Sequence, residues 1–211
     1  GKRVLKMAER LEHLIKDNYI QKIKQQEAEM NALVTQINPH FLYNTLDSIH
    51  WVAIRQNNYE ISSQIEALST MFRHILNKGK NTIVIADEME FLKSYVLIMN
   101  KRYNDKIQFF IEIDDENIEE LKAYSILKLL IQPLIENCFV HGLYNIEKGI
   151  IVLRFYIIKD NLYIEVEENG KGIDFDIYKI RQDEKDMADK YSALKNLYDR
   201  IQLFYGNKYG M

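Results

Sequence analysis

The 211-residue chain has one cysteine, two prolines, one tryptophan and only eight glycines. Cys138 therefore has no disulfide partner, cross-links cannot substitute for a hydrophobic core, and a small thiol among apolar neighbours suits a reducing compartment. Charge of one sign is missing as well. The 28 basic and 31 acidic residues are interspersed, which leaves no sustained positive field of the sort a nucleic-acid surface needs. Nor is there a long apolar run: the best stretch, residues 150–158, contains Arg154 and falls far short of the roughly 20 residues that span a bilayer. No direct nucleic-acid partner is expected, and no membrane span. What remains is a globular balance, 47% hydrophobic and 28% charged, enough to bury a core. A helical pattern is already running at Lys2, without a capping residue or a signal-peptide layout, so the chain is expected to be a fragment of something longer.

Over residues 4–37, apolar or small side chains recur at steps of three and four (Val4, Ala8, Leu11, Ile15, Tyr19, Ile23, then Met30, Leu33, Ile37). That spacing predicts a long amphipathic helix. Its consecutive four-residue steps depart from a strict heptad, so residues 1–29 are expected to form a signalling linker, a coiled coil that is locally unwound. A second helix is predicted over residues 61–76, with Ile61, Ile65, Leu68, Phe72 and Ile75 on one face. Together they make a helical hairpin over residues 30–80 whose apolar face exceeds what it can cover, and pairing with a second copy into a dimeric four-helix bundle is the expected solution. Turn residues at 77–81 mark a boundary near Lys80. Beyond it the pattern is mixed: a helix over residues 87–103, an alternating strand over 106–113, a hairpin of 150–158 and 162–166 joined by Lys159, Asp160 and Asn161, and a helix over 193–205 that stops at Gly206. The fold class is α+β, with residues 81–211 forming a two-layer α/β sandwich on a mixed sheet.

Three segments carry residue types suited to chemistry. In QINPHFLYN, residues 36–44, Pro39 removes a backbone donor and is expected to bend the helix just before His40, while Asn44 and Asp47 share the His40 face. A neutral imidazole is a nucleophile that can attack phosphorus, though the same residues also describe a surface histidine beside a kink. Residues 126–142 read as an apolar helix interrupted by Pro133 and capped by Gly142. Its end, ENCFVHG, gathers Glu136, Asn137 and His141. The Asn137 amide oxygen can be one ligand of a Mg²⁺ completed by waters and phosphates, and Glu136 can accept a proton; a partly exposed polar stripe on a core helix is the alternative. Finally EENGKGID, residues 167–174, follows a strand and places Gly170 and Gly172 where backbone can approach a flat ligand. A buried acid there can accept a hydrogen bond from an exocyclic amine and select adenine, or the segment is an ordinary turn. The charged stretch 175–190 reads as a loop that closes over such a site.

In this order and at these distances the segments resemble the LytS-like class of sensor histidine kinases, whose catalytic domain has the fold of the gyrase, Hsp90, histidine kinase and MutL (GHKL) ATPases. The resemblance covers nearly all of residues 30–211. QINPHFLYNTL is similar to the family's phosphoacceptor region and so implies that His40 is the phosphorylated residue. LIQPLIENCFVHG resembles the asparagine-containing box, which implies Mg²⁺ coordination by Asn137, a general-base or water-positioning role for Glu136, and a phosphate-facing His141. Glu168, Gly170 and Gly172 fall in the adenine-binding loop, and Asn196 matches the region after the lid. Tyr95, Arg102 and Tyr103 lie where the family has a tyrosine and an arginine-aromatic pair.

What the resemblance implies is the cytoplasmic catalytic portion of a membrane sensor in a two-component system. It would use ATP and Mg²⁺ to phosphorylate itself on His40 within a homodimer and then transfer the phosphate to the receiver aspartate of a response regulator; any membrane segment would lie upstream. Two departures stand out. The family's usual aspartate before NGxG is Glu168 here, which moves the carboxylate outward by about 1.5 Å. The glycines of the lid hinge are replaced in Tyr191-Ser192-Ala193-Leu194. The chain also stops at YGNKYGM, where the family goes on to its final strands. These departures point to weaker ATP binding, or to the alternative of a degenerate nucleotide-binding module that dimerises and relays a signal without kinase activity.

Overall fold

The computed structural model describes residues 38–76, 81–114, 118–144, 146–172, 192–206 and 208–211. The expected linker helix, the turn at 77–80 and the lid lie outside these residues. Cα packing separates Gly1–Thr45 from Leu46–Met211.

Helix α1, Pro39–Arg55, opens with Pro39 in its first turn, where the missing N–H costs nothing. The Asn38 side chain caps that turn, its Oδ1 accepting from the His40 and Phe41 backbone N–H groups at 3.1 and 3.4 Å. Pro39 therefore begins the described helix, and the bend expected there involves residues before 38, outside the described ones. Asn58 caps α2, Tyr59–Leu76, in the same way, through the Ile61 N–H at 3.1 Å. His50 ties the two helices together: its Nδ1 lies 3.0 Å from the Ser62 hydroxyl.

Helix α2 buries Ser62, Ala67, Ser69, Thr70 and Leu76. The stripe expected to be its core face, Ile61, Ile65, Leu68, Phe72 and Ile75, is half-buried or exposed. Small residues on the inner side let α2 approach α3, Ile85–Arg102, against which it packs. Lys101 and Glu60 pair across that contact at 2.9 Å, and the His74 ring meets Phe91 edge-on.

After α3, the Asn100 side chain imitates a strand partner. It donates to the Ile107 carbonyl at 2.7 Å and accepts from the Ile107 N–H at 3.0 Å, so the chain reverses into β2, Ile107–Asp114. Strand β2 runs parallel to β4, Gly149–Ile158, and β4 is antiparallel to β5, Asn161–Glu168, in the order β2-β4-β5. Lys159 and Asp160 both have positive φ, the backbone a two-residue hairpin turn requires. Sheet residues Ile151, Leu153 and Phe155 point inward against Phe91, Leu92 and Phe139. The opposite face is wet, with Arg154 paired to Glu112, Glu165 and Glu167. Helices on one face of a mixed sheet are the expected two layers.

One expected element is different. Residues 126–142 are not a single helix: Ser125–Leu127 forms strand β3, antiparallel to β1, Thr82–Val84, and α4, Ile118–Ala123, precedes it. Helix α5 begins only at Gln132 and runs Gln132–Asn137, with Pro133 in its first turn. Apolar content alone does not separate a short buried strand from a helix, and the proline marked the true start. The last helix, α6, Ser192–Tyr205, ends as expected at Gly206, whose φ is +88°.

Candidate functional site

The predicted residues divide between the two units. In Gly1–Thr45, His40 is exposed in the first turn of α1, and the Asn44 amide lies 3.3 Å from its Nδ1, the i+4 contact that the spacing predicts. The amide atom facing Nδ1 is Nδ2, a donor, so Nδ1 accepts and the neutral ring carries its proton on Nε2, which points away from Asn44.

In Leu46–Met211 the other candidates gather at the end of α5. The helix widens after Asn137 into a single π turn, Cys138–Gly142, closed by the Leu143 N–H on the Cys138 carbonyl at 2.8 Å. Such turns break the regular ladder and recur at functional sites. The motif spacing had implied a regular helix. Glu136 and His141 are exposed here, and Asn137 is half-buried.

The glycine loop closes on this turn. The Gly142 carbonyl accepts from the Lys171 N–H at 3.2 Å. A Cβ on Gly142 would stand 2.6 Å from the Glu168 carboxylate, and one on Gly170 would stand 2.2 Å from the Gly142 oxygen. Gly142 thus serves close approach; the Leu143 residue closes the turn, and the expected glycine cap is not its role. Gly172 has φ +65°, which favours glycine. Glu168, at the end of β5, turns its carboxylate into the loop: Oε2 accepts from the Gly170 N–H at 2.9 Å and Oε1 from the Gly172 N–H at 2.7 Å. Asn169 anchors the loop to β4, accepting from the Ile150 N–H at 2.7 Å and donating to the Lys148 carbonyl at 3.0 Å. Burial, reinforced by the Glu168 carboxylate, pushes the Cys138 thiol up to about 12, so it stays a neutral packing group. Asn196 is exposed on α6, which packs against α5.

Tyr95 of α3 reaches α5 from behind. Burial, then the charge of Glu136 and the neighbouring Tyr103, raise it to about 12, and its hydroxyl bonds the Gln132 side chain. Gln132 carried no signal in the sequence. Among the described residues no group of three or more His, Cys, Asp or Glu side chains could hold a metal ion. A cation at this site would have to take most of its ligands from phosphates and water, as Mg²⁺ commonly does, with the Asn137 amide as the protein's contribution. The donor set fits Mg²⁺ on those terms.

Residues 28–107 match the family described as histidine kinase. Over 206 residues, 97% of this chain and 34% of the relative, the sequence is 32% identical to the sensor histidine kinase YesM of Bacillus subtilis. It is 30% identical over 184 residues to the sensor protein kinase HptS of Staphylococcus aureus, covering 86% of this chain and 34% of that protein. The chain is similar to sensor histidine kinases over most of its own length, and it spans about a third of the length of the curated relatives it matches. Among solved structures, a histidine kinase domain from the Erythrobacter litoralis EL346 blue-light activated histidine kinase aligns with a TM-score of 0.41 and 16% identity, over 76% of this chain and 84% of that one. No described helix is long and apolar enough to cross a membrane.

Proposed function

We propose that this chain binds ATP between the helix end 136–142 and the loop 168–172, phosphorylates itself on His40, and passes the phosphate to the aspartate of a response regulator. The observation that carries the nucleotide site is the closure of the loop on the helix end, where the Gly142 backbone meets Gly170, Lys171 and the Glu168 carboxylate. Asn137, Glu136 and His141 border that closure on one element. Bound Mg²⁺, held by Asn137, would neutralise phosphate charge. Glu136, an exposed carboxylate, is assigned to take the proton from His40 Nε2, whose electron pair forms the N–P bond as the bond between the γ-phosphorus and its bridging oxygen breaks and ADP leaves. Division of labour comes with this reading: residues 30–80 dimerise and carry the phosphate, and residues 81–211 bind nucleotide. The chain is the cytoplasmic portion of a membrane sensor.

One observation favours the alternative, a module that relays a signal without kinase activity. Both Glu168 oxygens are already engaged by loop amides, so the acid that should meet adenine is occupied. Nucleotide binding measured by calorimetry, with Asn137→Ala as the control, separates the readings. Binding that needs Asn137 and Mg²⁺ supports the kinase; no binding supports the relay.

A further inference from the structure

The four residues between β3 and α5, residues 128–131, belong to no regular element, yet the backbone groups of Lys128, Leu129 and Ile131 are each engaged. The Lys128 N–H donates to the Asn81 carbonyl at 3.0 Å, and the Ile131 carbonyl accepts from Leu134 and Ile135 at 3.0 and 3.2 Å as α5 starts. Four others are held by two ionisable side chains from helices far apart in the sequence. Arg200 of α6 donates to the Lys128 carbonyl at 2.8 Å and to the Leu129 carbonyl at 3.3 Å. Glu88 of α3 accepts from the backbone at Leu129 and Ile131. Leu129 has φ +54°, a left-handed backbone that a leucine adopts only where its surroundings over-determine it. The Leu127 N–H, one residue earlier, is held by the Tyr205 hydroxyl of α6 at 3.1 Å.

Glu88 is an unusual choice for this task. It is 1% exposed, and its Oε1 has no hydrogen-bond partner among the described residues. A buried carboxylate kept without a direct ion pair is costly to the fold, and that cost needs a return elsewhere. The return lies in the helix at the far end of the loop: Ile131 is the N-cap of α5, and α5 carries Glu136 and Asn137.

We propose that Glu88 and Arg200 are positioning residues for the nucleotide site, gripping loop 128–131 from α3 and α6 and so setting the height and rotation of α5. The inference rests on Asn137 being the Mg²⁺ ligand only for its functional consequence; the grip itself is a property of the chain without nucleotide. Because α2 packs on α3, a displacement of the hairpin reaches α5 through the same carboxylate.

Two measurements on the 211-residue chain test this. In nucleotide-free protein, amide hydrogen exchange in Glu88→Gln and Arg200→Met should quicken by about tenfold or more over residues 127–137, with β4 and β5 unchanged. Exchange that is unaltered, or that rises equally throughout the chain, overturns the proposal. Affinity for ATP should then fall about tenfold in excess Mg²⁺ and less than about twofold in EDTA, since only the metal-dependent part relies on the placement of Asn137. An equal loss in both conditions marks general damage and counts against positioning. If the unsubstituted chain binds no nucleotide, the kinase reading fails, while the exchange pattern still decides the grip.

Discussion

A carboxyl group buried beside two backbone N–H donors, with Arg200 and Lys128 near enough to be felt, is pulled in two directions. For Glu88 burial wins, and the group titrates at about 7 against 4.5 in an open chain. Since the folded value is the higher, folding takes up a proton; the stabilisation is fully present below pH 4.5 and is lost as pH rises through about 7. The loss is on the order of 3 kcal/mol. Unfolding by urea at a series of pH values should show stability declining across that window, and Glu88→Gln should flatten the decline; an unchanged slope assigns it to other groups. Glu168 poses a different problem, because its carboxylate is exposed enough to meet a ligand and is spent on Gly170 and Gly172. Aspartate at that position is too short to hold both amides. Glu168→Asp is therefore expected to strengthen adenine-nucleotide binding by about tenfold, one charge-assisted hydrogen bond freed for the base. Calorimetry giving equal or weaker affinity would mean the pocket is built around the longer acid. Gly170→Ala should do the reverse, costing about 1 to 3 kcal/mol of stability, because the obstacle to a Cβ is the Gly142 carbonyl and backbone yields little.

Among the elements, α2 is where the hydrophobic pattern and the buried surface part company. Its apolar stripe stays half-buried or exposed while Ser62 and Ser69 go inward, and α1 adds Trp51, 61% exposed. Exposed aromatic and aliphatic surface on two adjoining helices calls for a partner surface, and a second copy of the hairpin supplies a self-complementary one. Light scattering at high micromolar concentration should give twice the protomer mass, and Ile61→Lys with Ile75→Lys should give the protomer mass. A monomeric unsubstituted chain would contradict the bundle. Strong periodicity made α2, α3, α6 and the β4-β5 hairpin legible in the sequence, and Lys159-Asp160 even announced its turn. Strand β3 was not, because three residues are too few for alternation to register and their register comes from residues 82–84, far away in sequence. The π turn was equally hidden: nothing in CFVHG distinguishes it from a regular helix until the loop at Glu168 presses on Gly142.

For the whole molecule, the motifs that resemblance marked do converge where backbone meets backbone, at Gly142 and Gly170, but what steadies them was silent. Glu88 and Arg200 look like surface charges on amphipathic helices, and their common target is a set of main-chain groups that leave no residue signature. Tyr95 and Gln132 are a similar case, visible only once α3 lies behind α5. His40 belongs to Gly1–Thr45 and the nucleotide motifs to Leu46–Met211; the central proposal is that a nucleotide bound by the second unit yields its phosphate to the imidazole of the first. It is tested most directly by incubating the chain with Mg²⁺ and γ-labelled ATP. The protein should acquire label that is acid-labile and base-stable, as a phosphoramidate is; His40→Gln should abolish it with ATP affinity unchanged, and Asn137→Ala should abolish it with Mg²⁺-dependent affinity lost. Label that persists in His40→Gln, or nucleotide binding that never leads to label in the unsubstituted chain, would contradict the account.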